Sequence, residues 1–152
     1  MSTLIYLDDL AVGRKFTTAS ATLTAAEIKQ FALQFDPQAF HLDERAAEAS
    51  VFRGLAASGW HTGSLSMRLM VESDFRIAGG LIGLSGEVSW PRATYAGDTI
   101  RVEIEILDIR VSASKPDRGI VTVRNTTLNQ RGEPVQIGVF KMLVPRRPAE
   151  SS

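Results

Sequence analysis

Asp36 and His41 stand five residues apart in the stretch Phe35-Asp36-Pro37-Gln38-Ala39-Phe40-His41-Leu42-Asp43, and the chain has two histidines in all. A carboxylate and an imidazole brought together can share one water molecule. One group takes its proton while the other orients it, which is general acid–base chemistry suited to neutral pH. Taken singly, each has a plainer reading: a turn aspartate and a solvated or structural ring. A second group of candidates follows at Ser58, Gly59, Trp60, His61, Thr62 and Ser64, where a glycine and small hydroxyl residues open another apolar segment.

Other chemistries find little support. Cysteine is absent, so disulfides, thiol nucleophiles and cysteine zinc sites are excluded. Two histidines twenty residues apart, without carboxylates at ligand spacing, make a poor metal site. The chain has no glycine-rich phosphate loop and no Gly-x-Ser-x-Gly nucleophile turn. Seventeen basic residues balance seventeen acidic ones, so nucleic acid and anionic membranes have no electrostatic attraction to it. No apolar run approaches the ~20 residues of a membrane span, and the first residues do not read as a secretory signal. The expected setting is soluble and cytoplasmic. The sequon Asn125-Thr126-Thr127 then reads as chance.

The elements that must position the candidates are legible in part. A length of 152 residues, 44% of them hydrophobic, suits a single domain over 1–152 with an ordinary core and a frayed tail over 146–152. Lys15 to Leu23 reads as a first strand. Thr24-Ala25-Ala26-Glu27 is a capping box, with Leu23 placed to staple against Ile28. Ile28, Phe31, Ala32 and Phe35 recur at helical spacing on one face. Pro37 stops that helix, because a residue before proline avoids the α region, so Asp36 sits where the chain leaves regular structure. Asp43 caps a short second helix over about 44–49. Ser58-Gly59 opens a third, from Trp60 to about Ser73, apolar enough to be buried nearly all round. Gly63 within it implies a close backbone or ligand approach.

Beyond Gly79-Gly80 the period changes to two. Ile82, Leu84, Gly86, Val88 and Trp90 share a face. Tyr95-Ala96-Gly97-Asp98 turns the chain, with Asp98 as a turn residue. Ile100, Val102, Ile104 and Ile106 then alternate with charged residues before the apolar phase slips to Leu107, Ile109 and Val111, which predicts a bulge near 106–107. Strands follow over Ile120–Asn129 and, after a turn at Arg131–Pro134, over Val135–Val144, the last apolar on both faces. The class is α+β: a curved antiparallel sheet of about four long strands, plus one at the front, wrapped around a long central helix.

These segments carry a resemblance. The run Phe31 to Asp43 resembles the hydratase segment of MaoC-like dehydratases, which include the (R)-specific enoyl-CoA hydratases. Gly54-Leu55-Ala56-Ala57-Ser58-Gly59-Trp60-His61 looks like that family's oxyanion loop leading into its central helix. Trp90-Pro91-Arg92 through Gly97-Asp98-Thr99-Ile100 looks like its later strand-turn-strand. The commonest hydratase form is Asp-x-Asn-Pro-x-His; here Pro37 follows Asp36 directly and the asparagine is missing, while the Asp-to-His separation survives. The resemblance implies a hotdog fold and the hydration of an α,β-unsaturated acyl thioester. Asp36 and His41 would act as a dyad on water, and the Gly59 N–H would stabilise the enolate-like oxygen. Ser58, Trp60 and Ser64 are candidates for binding the substrate. His61 and Thr62 read as packing or supporting residues, and Arg92 as a solvated arginine with a CoA phosphate as its alternative partner. CoA or an acyl carrier would belong to the substrate, and no other cofactor is implied. Hotdog sheets usually pair, which implies a homodimer or higher even assembly. A hotdog thioesterase, or a non-catalytic acyl-binding subunit, are the alternative readings.

Overall fold

Local rules set the helix boundaries. In the computed structural model, which describes residues 3–149, the first helix, α1 (Ala25–Phe35), begins at the expected capping box. Glu27 N–H donates to the Thr24 hydroxyl at 3.2 Å and Thr24 N–H donates to the Glu27 carboxylate at 3.1 Å. It ends at Phe35, two residues before Pro37, with Asp36 as C-cap. Leu23 and Ile28 are both buried in the one core. The apolar face is narrower than the periodicity predicts: Ile28 and Ala32 are buried, Phe31 is half-buried, and Phe35 is exposed.

Between Pro37 and Asp43 the connector is not irregular. Residues Ala39–Leu42 form one helical turn, α2, with His41 buried within it. Asp43 then caps α3 (Glu44–Glu48) as expected, accepting from Ala46 N–H at 2.9 Å. Ser58 is the N-cap of α4 (Gly59–Val71).

Two short strands, β1 (Lys15–Thr17) and β2 (Ala21–Thr22), replace the single predicted front strand. The break falls at Thr18, which is buried, with its hydroxyl turned into the fold to accept from Val102 N–H at 2.9 Å. The long strands are β3 (Ile82–Ser89), β4 (Thr99–Val111), β5 (Arg118–Leu128) and β6 (Pro134–Pro145). They form one antiparallel sheet in the order β1-β4-β5-β6-β3, with β2 also on β4. The β4–β5 register shifts between Ile106 and Asp108, the bulge expected from the slipped apolar phase. Ile100, Val102, Ile104 and Ile106 are fully buried on the face toward the helix.

That face curves around α4, which gives the hotdog arrangement. The helix is not buried all round: Thr62, Ser66, Leu69 and Met70 turn inward, while Trp60, Met67 and Val71 are exposed. Among the described residues, strand β3 is an edge strand that pairs with β6, and Ile82 and Leu84 on it are exposed. Asn125, in the sequon, is buried on β5 beneath the helix. Of the expected frayed tail, Arg146 and Arg147 are tied down: they pair with Asp8 at 3.2 Å and Asp9 at 2.6 Å. Residues 150–152 lie outside the described part. Among the described residues no helix is long and apolar enough to cross a membrane.

Candidate active site

Three elements meet at one cavity. The exit of α1 brings Asp36, α2 brings His41, and the start of α4 brings Gly59; all three line a cavity of about 400 Å³. The break at Pro37 followed by a single helical turn folds the chain back, so Asp36 Oδ2 lies 3.3 Å from His41 Nε2. That separation exceeds the 2.7–2.9 Å of a tight charge-assisted bond, so Nε2 remains able to engage a water.

Each member is held from behind. His41 Nδ1–H donates to the Ala56 carbonyl at 2.6 Å. A carbonyl only accepts, so the Nδ1 proton is assigned, and Nε2 is the nitrogen that exchanges protons with the cavity. The ring is buried, with Phe40 edge-on at 4.5 Å and Phe52 at 6.3 Å. The other oxygen of Asp36, Oδ1, accepts from the Gln38 side-chain amide at 2.6 Å. Burial pushes the Asp36 carboxyl up, but hydrogen bonds from the Gln38 and Ser58 side chains, joined by His41 when its ring is protonated, outweigh it and hold the group below its ordinary range. Asp36 is therefore an anion at neutral pH, beside an imidazole whose tautomer is set.

Gly59 is the first residue of α4, where a helix leaves its N–H groups without intrahelical acceptors and presents the positive end of its dipole. Its lack of a side chain is a packing requirement. A Cβ there would stand 2.7 Å from Cε2 of Trp90. The Trp90 indole closes the cavity beside Gly59, donating from Nε1 to Gln136 Oε1 at 2.9 Å and meeting Trp60 edge-on at 5.3 Å.

Most of the sequence candidates collect here. Trp60 lines the cavity and is exposed at its rim. Thr62 lines it too, donating to the Thr94 hydroxyl at 3.3 Å. Ser58 is fully buried and serves as helix cap, accepting from Trp60 N–H at 3.3 Å, while it also steadies Asp36. Ser64 is not brought in: its hydroxyl donates to the Trp60 carbonyl at 2.7 Å on the exposed side of α4. It lies one turn beyond Trp60 and does not line the cavity. His61 lies behind the site, stacked on Phe31 at 4.7 Å with its Nδ1 buried and unpartnered. Burial lowers its pKa, against the opposing charge of Glu27, and favours the neutral ring that packing requires. Arg92 reaches the cavity rim and pairs with Glu133 at 3.3 Å. Asp98 is a turn residue: its Oδ2 accepts from Tyr95 N–H at 2.8 Å.

Sequence reasoning missed Gln38, Thr94 and Gln136. Gln38 had a signal, since it stands two residues after the aspartate, where the common motif has its asparagine. Thr94 and Gln136 had none, because their partners are 32 and 46 residues away.

Comparison with known proteins agrees with this architecture. A family model for the MaoC like domain matches residues 9–129. The crystal structure of the MaoC-like dehydratase from Rhodospirillum rubrum is 54% identical with a TM-score of 0.93, covering 95% of this chain and 99% of that one. The (R)-hydratase from A. caviae involved in PHA biosynthesis is 28% identical with a TM-score of 0.73, over 90% and 98% of the two chains. The uncharacterized protein YdeM of Bacillus subtilis (strain 168) is 31% identical over 141 residues, 92% of this chain and 99% of that protein.

Proposed function

The chain belongs to the MaoC-like domain family, and from that membership we propose that it is an acyl dehydratase, hydrating an α,β-unsaturated acyl thioester reversibly as an enoyl-CoA hydratase does. The observation that carries the reading is the convergence of Asp36, His41 and the start of α4 at Gly59 on one cavity.

The roles follow from what each group can do. One water is held by Asp36 and His41 Nε2 together, on the cavity side of the pair. As its oxygen bonds to the β carbon, one O–H bond breaks and the proton passes to the dyad. The thioester oxygen takes up the negative charge, and the Gly59 N–H with the α4 dipole stabilises it; a donor of this kind is typically worth ~3 kcal/mol at the transition state. The α carbon then collects a proton from the dyad, which returns the site to its starting state. Asp36 alone, held low in pKa, is a weak base. Pairing it with an imidazole of fixed tautomer supplies a relay. The scheme uses no prosthetic group, and CoA or an acyl carrier enters as part of the substrate.

A second copy of the chain is proposed as partner. Trp60, Met67 and Val71 form an exposed stripe on α4, and the outer edge of β3 has unpaired backbone groups beside exposed Ile82 and Leu84. Pairing across that edge would cover both.

The test is direct. Purified protein with crotonyl-CoA should abolish the ultraviolet enone absorbance without releasing free thiol. Thiol release would indicate a thioesterase instead, and tight binding with neither signal a passive acyl-binding subunit.

A further inference from the structure

We propose that Gln136 closes the acyl end of the cavity, so that the protein selects short acyl thioesters. The proposal rests on the hydratase reading of the site. Between α4 and the sheet, next to the lining residues Thr62, Trp90 and Thr94, lies a buried polar layer that forms the wall. Thr62 bonds Thr94 at 3.3 Å, the Gln136 amide is anchored by the Trp90 indole at 2.9 Å, and Ser66 bonds Thr127 at 2.8 Å. Gln136 and Thr127 are cross-strand partners, so the wall continues from β6 to β5. Gln136 also lies against α4: a Cβ on Gly63 would be 3.3 Å from its Oε1, which is the close approach that Gly63 implies. Gln136, Thr62, Ser66 and Thr127 are each at least nine-tenths buried.

Past this wall lies a second, smaller cavity of about 140 Å³, lined by Met67, Met70, Leu81, Phe140 and Met142. All three elements give the same order. Along α4 the sequence is Thr62 at the first cavity, Gly63 and Ser66 at the wall, Met67 at the second cavity. Along β6 it is Gln136, then Phe140 and Met142; along β5, running oppositely, Thr127 and then Asn125, which also lines the second cavity. The Asn125 amide is buried there with its Oδ1 unpartnered. An extended acyl chain would have to displace the Gln136 amide from Trp90 and lay methylenes against these polar groups, which disfavours it. A short acyl group ends before the wall.

The second cavity has room for four or five water-sized groups at ~30 Å³ each. Truncating Gln136 should join the two spaces and admit about four more methylenes. Titrating the Trp60 and Trp90 fluorescence with saturated butanoyl-CoA and octanoyl-CoA reads this without requiring turnover. Four further methylenes buried in an open tunnel would tighten binding by ~200-fold. The wild type should show no such gain for octanoyl-CoA, and Gln136→Ala should recover at least ~10-fold of it. Gln136→Met, apolar but of similar length, should leave the passage filled and the chain preference near that of the wild type. In turnover, the ratio of octenoyl-CoA to crotonyl-CoA hydration should rise by at least ~10-fold in Gln136→Ala. A wild type that prefers the eight-carbon ligand, or a folded Gln136→Ala with an unchanged chain preference, overturns the gate. A failure of every enoyl-CoA to be hydrated would instead overturn the hydratase reading, while the binding comparison still decides the gate.

Discussion

Adding one methyl group at Gly59 is the sharpest test of how the site is built. Gly59 is not among the positive-φ residues, so alanine fits its backbone and even gains up to ~1 kcal/mol of helix propensity. The new Cβ, however, would meet Trp90 at 2.7, 3.0 and 3.1 Å from three indole carbons. Relief requires the indole to retreat by several tenths of an ångström. It is held by Gln136 on one side and Trp60 on the other, and the opposing atoms are a rigid ring rather than a flexible tip. Overpacking of this kind costs ~1–3 kcal/mol, which set against the propensity gain leaves a net loss of up to ~2 kcal/mol. For a chain of this size that lowers Tm by up to ~8 °C. The catalytic loss should be larger, because the N–H that would meet the thioester oxygen belongs to the displaced residue, and a misplacement near 1 Å can cost ~100-fold. Gly59→Ala is assayed by thermal melting, by the emission of the two tryptophans, and by crotonyl-CoA hydration. A variant with unaltered emission, a raised Tm and wild-type turnover would refute both the packing argument and the role of this helix start.

Four further outcomes are expected. Asp36→Asn and His41→Ala should each reduce hydration by at least ~100-fold while circular dichroism shows the fold retained; wild-type-like turnover in either removes the dyad. Stability should carry the signature of Asp36: its folded pKa is depressed, so its contribution is present above the unfolded value of ~3.9 and is lost as pH falls through the lower folded value. The Tm difference between wild type and Asp36→Asn should accordingly shrink below about pH 4, and a difference constant down to pH 2 would contradict this. Ser64→Ala should hydrate crotonyl-CoA within ~2-fold of wild type, since its hydroxyl bonds its own helix; a 100-fold loss would mean that Ser64 turns inward. Sedimentation at micromolar concentration should show an even assembly that Met67→Asp dissociates, and a wild type that is monomeric throughout would rule out the second copy as partner.

What the sequence determined by itself was local. The capping box at Thr24, the stop at Pro37, the cap at Asp43 and the slipped phase at Ile106–Leu107 each depend on residues within a few positions, and each stands in the structure. The five-residue separation of Asp36 and His41, with Gly59 opening a helix, marked a candidate site once the family resemblance was added, and the structure brings these three residues to one cavity. Tertiary structure decided the rest. The four-residue turn that carries His41 is too short to show a period, and its ring is oriented by the Ala56 carbonyl on another segment. The front strand divides because Val102 N–H claims the Thr18 hydroxyl. Which side of α4 is wet depends on where the sheet ends, and periodicity cannot report that. Trp90 and Gln136 meet because antiparallel pairing sets β3 beside β6, far apart in the chain, and their contact fixes the indole that lines the cavity. Short-range hydrogen bonding and sterics are written in neighbouring residues, whereas burial and long-range pairing exist once the sheet has closed over the helix.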